Sequence, residues 1–181
     1  MTPGRWADLE KLFGPRGACG GCWCMYWRVP RKQFEAQKGA GNRRALRKLV
    51  REGPPPGLLA YAGREPVGWC AIARREEFPV LDRSRVLARV DDAPVWSLAC
   101  LYIARGWRRR GVSQALLRGA VEFARRRGAR LVEGYPIDPK KKNMPDVFAW
   151  TGLVSGFTRA GFREVARRSP TRPIVRIACK G

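Results

Sequence analysis

The sequence predicts an α/β (α+β) fold, with a central sheet of about six to seven strands and about four helices around it. Three stretches carry that reading. Trp96 to Ala104 is an unbroken run of small, β-branched and aromatic residues without a charge, as a strand covered on both faces would be. From Ser113 onward, Leu117, Ala120, Val121 and Ala124 recur at helical spacing while Arg118, Glu122, Arg125 and Arg126 fall elsewhere on the wheel, and Gly128 ends the pattern. Leu58 to Ala62 and Val67 to Ala73 flank the turn Gly63-Arg64-Glu65-Pro66 and read as a hairpin.

Taken in order, Trp6 to Phe13 reads as a short helix or edge segment that ends in a Gly/Pro turn. Cys22 to Arg28 is rich in aromatic residues and predicts a first strand, ended by Pro30. Arg31 to Lys38 reads as a helix, and Asn42 is the expected cap of the next one, whose Leu46, Leu49 and Val50 share a face and which stops at Gly53-Pro54-Pro55-Pro56-Gly57. After the hairpin, Arg74 to Ala93 reads as a loop carrying Glu76, Glu77, Asp82, Asp91 and Asp92. Pairing with arginine is their expected role, and recognition of a cationic amine is the alternative. Beyond the long helix, Arg130 to Pro136 predicts a strand, followed by a proline-punctuated loop with Asp138 and Lys140 to Lys142. Phe148 to Ala160 reads as a short helix interrupted by Gly152 and Gly156, and Arg163 to Arg168 with Pro173 to Cys179 as a closing hairpin.

A length of 181 residues suits one domain, residues 1–181. No apolar run approaches the roughly 18 residues that cross a bilayer, and the N-terminus has no signal-peptide hydrophobic segment, so no membrane association and a cytoplasmic location are expected. Lys plus Arg number 37 against 15 Asp plus Glu, a net charge of +22 that draws polyanions. The charges are spread over nearly every segment, as a coding bias toward arginine leaves them. Cys19-x-x-Cys22-x-Cys24 is half of a zinc pattern, but the chain has no histidine and no second pair, so no metal is expected and the thiols read as small packed hydrophobes. The lack of histidine also excludes Ser–His and Cys–His nucleophiles, and leaves a carboxylate, a tyrosine or ordered water as a base.

Between the central strand and the long helix, Arg108-Arg109-Arg110-Gly111-Val112-Ser113 directs free backbone N–H groups, a helix dipole and three guanidinium groups toward one point, which suits a phosphate or pyrophosphate. The pattern Arg108-x-x-Gly111-x-Ser113, preceded by Leu101-Tyr102-Ile103 and followed by an amphipathic helix, resembles the acyl-CoA-binding motif of the GNAT N-acetyltransferase superfamily. Ser113 stands where that family has Gly or Ala. The hairpin and the Ala160-Gly161-Phe162 junction also resemble the family, and the likeness covers residues 22–179. It implies a GNAT-like mixed, mostly antiparallel sheet, acetyl-CoA or another acyl-CoA as co-substrate, and a small-molecule or peptide amine as acceptor. It further implies that the backbone of Leu101 and Ile103 holds the pantetheine arm and that N–H groups across Arg108, Arg109, Arg110, Gly111, Val112 and Ser113 hold the pyrophosphate. The family often carries a tyrosine acid four residues before the Gly-Phe pair, where this chain has Phe157. Phe157 and Ser155 are then implied to line the CoA channel.

Candidate proton-transfer residues are Glu133, Tyr135 and Tyr102, with Asp138 near the same edge. For Glu133 the competing role is a solvent-facing ion pair. A covalent route through Cys100 is weighed against the inertness of a cysteine inside a buried strand. The leading reading is an acyl-CoA-dependent N-acyltransferase working by direct attack in a ternary complex. A second has tRNA as acceptor or acyl donor, with Lys140 to Lys142 and the arginine-rich helix face tracking phosphates. A third is a non-catalytic module that binds acyl-CoA or nucleic acid.

Overall fold

Backbone pairing in the computed structural model, which describes residues 1–139 and 144–179, begins with the hairpin read from the sequence. Gly57–Ala62 (β1) and Glu65–Arg74 (β2) pair antiparallel across a turn at Gly63, whose φ of 57° is a left-handed conformation that glycine adopts without strain. β2 pairs antiparallel with Trp96–Ile103 (β3), the uncharged run. β3 lies parallel to Leu131–Gly134 (β4), and the closing hairpin, Arg163–Arg167 (β5) with Pro173–Ala178 (β6), joins β4 through β6. The six-stranded order is β1-β2-β3-β4-β6-β5, with β3 and β4 the parallel pair of an otherwise antiparallel sheet.

Among the described residues, six α-helices cover the two faces. Trp6–Phe13 (α1), Arg31–Ala36 (α2), Ala40–Glu52 (α3) and Pro79–Asp82 (α4) pack on the face that carries Trp69, Ala71 and Ala73 of β2. Val112–Arg125 (α5) and Val154–Arg159 (α6) cover the other face. There Leu116, Leu117, Ala120 and Ala124 of α5 meet Cys70, Ile72, Leu98 and Leu101. α5 approaches so closely that a Cβ at Gly68 would lie 2.8 Å from Val112 and 3.0 Å from Leu116.

Four expectations are corrected. Cys22 to Arg28 is a succession of turns rather than a strand, because Trp23 and Cys24 have φ of 42° and 53° and local bonds such as Met25 N–H to the Cys22 carbonyl replace cross-strand ones. Its aromatic side chains are buried by ring packing instead: Trp23 stacks on Trp6, and Tyr26 and Trp27 meet Trp150. Asn42 does not cap α3. It lies within the first turn, fully buried, and its Nδ2 donates to the carbonyls of Gly21 and Phe34. The stretch 148–160 is divided into a 3-10 turn at Asp146–Ala149 and α6, with Gly152 at φ 83° between them. The loop after β2 contains α4 and a 3-10 turn, while four of its five acids are paired with arginine as expected: Glu76 with Arg89, Glu77 with Arg28, Asp82 with Arg75, and Asp91 with Arg176. Lys140 to Lys142 lie outside the described residues. No helix among the described residues is long and apolar enough to cross a membrane.

At one end of the sheet, on the α1–α4 face, a buried polar network ties the strands together. The Arg75 side chain is 1% exposed; its Nη1 donates to Glu133 Oε1 (2.7 Å) and to Tyr135 Oη (2.8 Å), its Nε to Asp82 (2.9 Å) and its Nη2 to the Leu87 carbonyl (2.8 Å). Tyr135 donates to Glu133 Oε1 at 2.7 Å, Ser97 Oγ lies 2.6 Å from the phenol oxygen, and Arg176 Nε donates to Glu133 Oε2 at 2.7 Å. Burial and the neighbouring Glu133 charge push the Tyr135 phenol well above its ordinary pKa, so it keeps the proton it donates. Glu133 is ion-paired as expected, but fully buried rather than facing solvent. Removing one member of such a network strands the others without water. Glu133→Ala is therefore expected to lower the unfolding free energy by about 3–5 kcal/mol in urea titrations, with partial recovery when Arg75→Met is added. A loss below about 1 kcal/mol contradicts this role for the network.

Candidate active site

β3 and β4 pair at Trp96↔Val132, Ser97↔Glu133 and Leu98↔Gly134, and then part. On β3 the register steps from Ile72↔Leu98 to Ala71↔Cys100, leaving Ala99 as a bulge residue. Ala99 and Cys100 consequently both face α1–α4, while Leu98 and Leu101 face α5. Past β4, Pro136 has no N–H to extend the ladder. The floor of the gap is the fully buried ring of Phe157, which would collide with a Cβ at Gly134 or Gly152 and stands edge-on to Phe162 at 4.9 Å. Residues 150–154 run along the gap: the Leu101 N–H donates to the Trp150 carbonyl (2.7 Å), the Ile137 N–H to Gly152 (2.8 Å) and the Val154 N–H to Ile137 (3.0 Å).

β3 leads through a 3-10 turn, Arg105–Trp107, into the basic loop. Arg109 (φ 60°) and Gly111 (φ 81°) are both left-handed and turn the chain sharply into α5. As a result, the backbone N–H groups of 109–114 find no backbone acceptor among the described residues. The first turn of α5 holds no acid and no side-chain cap, so the positive end of the helix dipole is uncompensated. Arg108 Nη1 pairs with Asp146 at 3.0 Å and its Nε reaches the Ile103 carbonyl at 3.3 Å, while Arg110 lies over the Trp107 ring. The Arg108–Asp146 pair is 37% and 53% exposed, worth about 0–1 kcal/mol, so an incoming anion displaces Asp146 at little cost. Free N–H groups, dipole and guanidinium groups at one point fit a pyrophosphate in kind.

The remaining sequence candidates are distributed unevenly. Val112 and Ser113 open α5 within the loop's reach, and Ser155 is exposed on α6. Tyr102 projects from β3 on the α1–α4 face, edge-on to Phe13 at 5.5 Å, and its hydroxyl has no hydrogen-bond partner among the described residues. Glu133 and Tyr135 are bound up in the network at the closed end of the strands. Cys24 Sγ lies 3.5 Å from Cys100 Sγ and accepts from Trp69 Nε1 at 3.1 Å. The Cys100 contact and burial push the Cys24 thiol far up, and burial does the same for Cys70. Among the described residues no group of three or more ligating side chains is placed to hold a metal. The sequence reading missed Trp150, Asp146 and Gln114, whose Nε2 joins α5 to the Gly156 carbonyl at 2.7 Å. A surface hollow of about 700 Å³ beside Arg118, Arg125 and Arg163 and another of about 600 Å³ beside Arg5 and Tyr61 lie away from the gap and the loop.

Comparison with known proteins bears on both fold and family. Ribosomal-protein-alanine N-acetyltransferase from Brucella melitensis is similar with a TM-score of 0.55 at 14% identity, covering 98% of this chain and 96% of that one. PaiA N-acetyltransferase from Thermoplasma acidophilum in complex with coenzyme A gives 0.52 at 13% identity, covering 98% and 95%. An acetyltransferase from Thermus thermophilus gives 0.50 at 20% identity, covering 98% and 93%. These likenesses show the fold. No curated protein matches the sequence. The model of the acetyltransferase (GNAT) family matches residues 23–138, a span that holds the hairpin, the bulged strand, the basic loop, α5 and β4. The chain belongs to the GNAT acetyltransferase family.

Proposed function

We propose that this protein transfers an acetyl group from acetyl-CoA to a primary amine by direct attack, the two substrates meeting in the gap between β3 and β4. The observation that carries the reading is the continuity of an uncompensated anion-binding loop with the free edge of β3. Acetyl-CoA supplies the activated thioester. The N–H groups of 109–114 and the guanidinium groups of Arg108 and Arg110 hold the pyrophosphate, and the Leu101 N–H, on exchanging the Trp150 carbonyl, holds a carbonyl of the acyl-pantetheine arm.

In the transfer, the amine nitrogen bonds to the acyl carbon, the carbon–sulfur bond breaks, and a proton leaves the nitrogen while one reaches the sulfur. Phe157 can carry no proton. Glu133 and Tyr135 are committed to Arg75, Arg176 and Ser97, which supports a structural role for both. Tyr102, with an unengaged hydroxyl on the same strand as Leu101, is the proton-transfer residue in this reading. The burial of Cys100, with its Sγ against Cys24 at 3.5 Å, favours direct attack over an acyl-cysteine.

Calorimetric titration tests the cofactor half. Acetyl-CoA is expected to bind, and Arg108→Ala with Arg110→Ala to weaken it about tenfold or more, since a hydrogen bond to a charged group contributes about 1.5–3 kcal/mol. Binding of total tRNA with none of acetyl-CoA would instead favour the nucleic-acid reading and defeat this one. For the chemistry, Tyr102→Phe is expected to lower kcat by about 10²–10⁴ while acetyl-CoA affinity is retained, measured by thiol release with a responsive amine. An unchanged kcat removes Tyr102 from the mechanism.

A further inference from the structure

The α5 side of the gap is filled by Phe157 and Leu101, which both crowd Gly152, so an acceptor reaches the gap from the α1–α4 side. That side has an aromatic wall. Trp27 stacks on Trp150 at 5.8 Å, and Tyr26 stands edge-on to Trp27 at 4.9 Å and to Trp150 at 5.3 Å. Beside it is Arg172, the residue before β6 and on the same side of that strand as Ile174 and Arg176. Its Nη1 donates to the hydroxyl of fully buried Thr151 at 3.2 Å.

Arg172 is half-buried and has no carboxylate. All 15 Asp and Glu side chains of the chain lie in described residues, and none pairs with it, although most of them pair with some other cation. Burial lowers its pKa, with Tyr26 the neighbouring group that opposes the shift. Two more donors on the adjoining stretch, Trp27 Nε1 and Arg28 Nη2, are buried with no acceptor. Such donors are costly to leave unsatisfied; the Trp27 indole belongs to the wall itself, and Arg172 beside it has a single hydroxyl, that of Thr151, as its side-chain acceptor.

We infer that the acceptor amine carries a carboxylate, and that Arg172 holds it against the Tyr26–Trp27–Trp150 wall. The inference rests on the acetyl-transfer reading and narrows it to amino acids or similar zwitterions. A carboxylate suits the site better than a phosphate. One guanidinium fork matches it in charge and plane, whereas a phosphate dianion needs a second free cation, and Arg28 already has Glu77 at 3.0 Å.

The test is a panel of α- and ω-amino acids, each with its carboxamide. It is read by initial rates at saturating acetyl-CoA and by tryptophan fluorescence of the CoA-loaded protein. For the α-amino acids, amidation lowers the amine pKa and so favours the carboxamide intrinsically; the bias runs against the expected result. At least one free acid is expected to be preferred over its carboxamide about tenfold or more, a preference that Arg172→Gln removes and Arg172→Lys partly keeps. Acetyl-CoA affinity equal to that of the unaltered protein shows that both variants are folded. Failure of every free acid to exceed its carboxamide in both readouts overturns the inference, as does an Arg172→Gln variant that loses acetyl-CoA affinity instead of the acid preference. If the unaltered protein does not bind acetyl-CoA at all, the acetyl-transfer reading fails and the inference that rests on it falls with it, whereas acetyl-CoA binding without an acid preference overturns the inference alone.

Discussion

Two parallel strands clamped at one end and released at the other are the constraint on which the rest of this molecule depends. The clamp is the buried network in which Glu133 of β4 accepts from Arg75, Tyr135 and Arg176, with Ser97 of β3 joined through the phenol. It holds β3 and β4 together where they are paired. The release follows from the Ala99 bulge on one strand and Pro136 beyond the other, with the Phe157 ring wedged beneath. A charged network is an expensive way to hold strands together unless every member is satisfied. Here Arg75 donates to two carboxylates, a phenol and a carbonyl, and both Glu133 oxygens accept.

The same geometry connects the opening to the anion site. β3 runs out of the gap directly into the turn that unwinds the N–H groups of 109–114, so the released edge and the positive end of α5 are continuous along a few residues of chain. Both are presently met by one segment: Asp146 holds Arg108, and the Trp150 carbonyl holds the Leu101 N–H. In the proposed reading, an anion on the loop and an amide in the gap compete for these two contacts. The contact on the loop side is a solvent-exposed ion pair, the kind that contributes least.

Much of this was legible in the sequence because it rests on local patterns. The uncharged run of β3, the apolar stripe of α5, the hairpin around Gly63 and the basic loop each follow from periodicity or turn chemistry, and each lies where the pattern puts it. What was hidden depends on residues far apart in the chain. The aromatic run at Cys22 to Arg28 has strand propensity, but burial against α1 and Trp150 overrides it, and the Gly17, Gly20 and Gly21 left-handed turns just before it were the available warning. Asn42 has the chemistry of a cap, yet the carbonyls of Gly21 and Phe34 claim its side chain. Arg75 has no sequence signature at all. Two of its partners, Glu133 and Tyr135, lie 58 and 60 positions away, and only the fold brings them together. Trp150 and Arg172 escaped notice for the same reason.

In the proposed reading, the parted end of β3 and the N-terminus of α5 form one acetyl-CoA site. Backbone amide chemical shifts followed by NMR during titration with CoA test it most directly. Shifts concentrated at 109–114 together with Leu101, whose N–H exchanges the Trp150 carbonyl for a ligand, are expected. Shifts confined to the basic hollow along Arg118 and Arg125, with Leu101 and the loop unmoved, would contradict it.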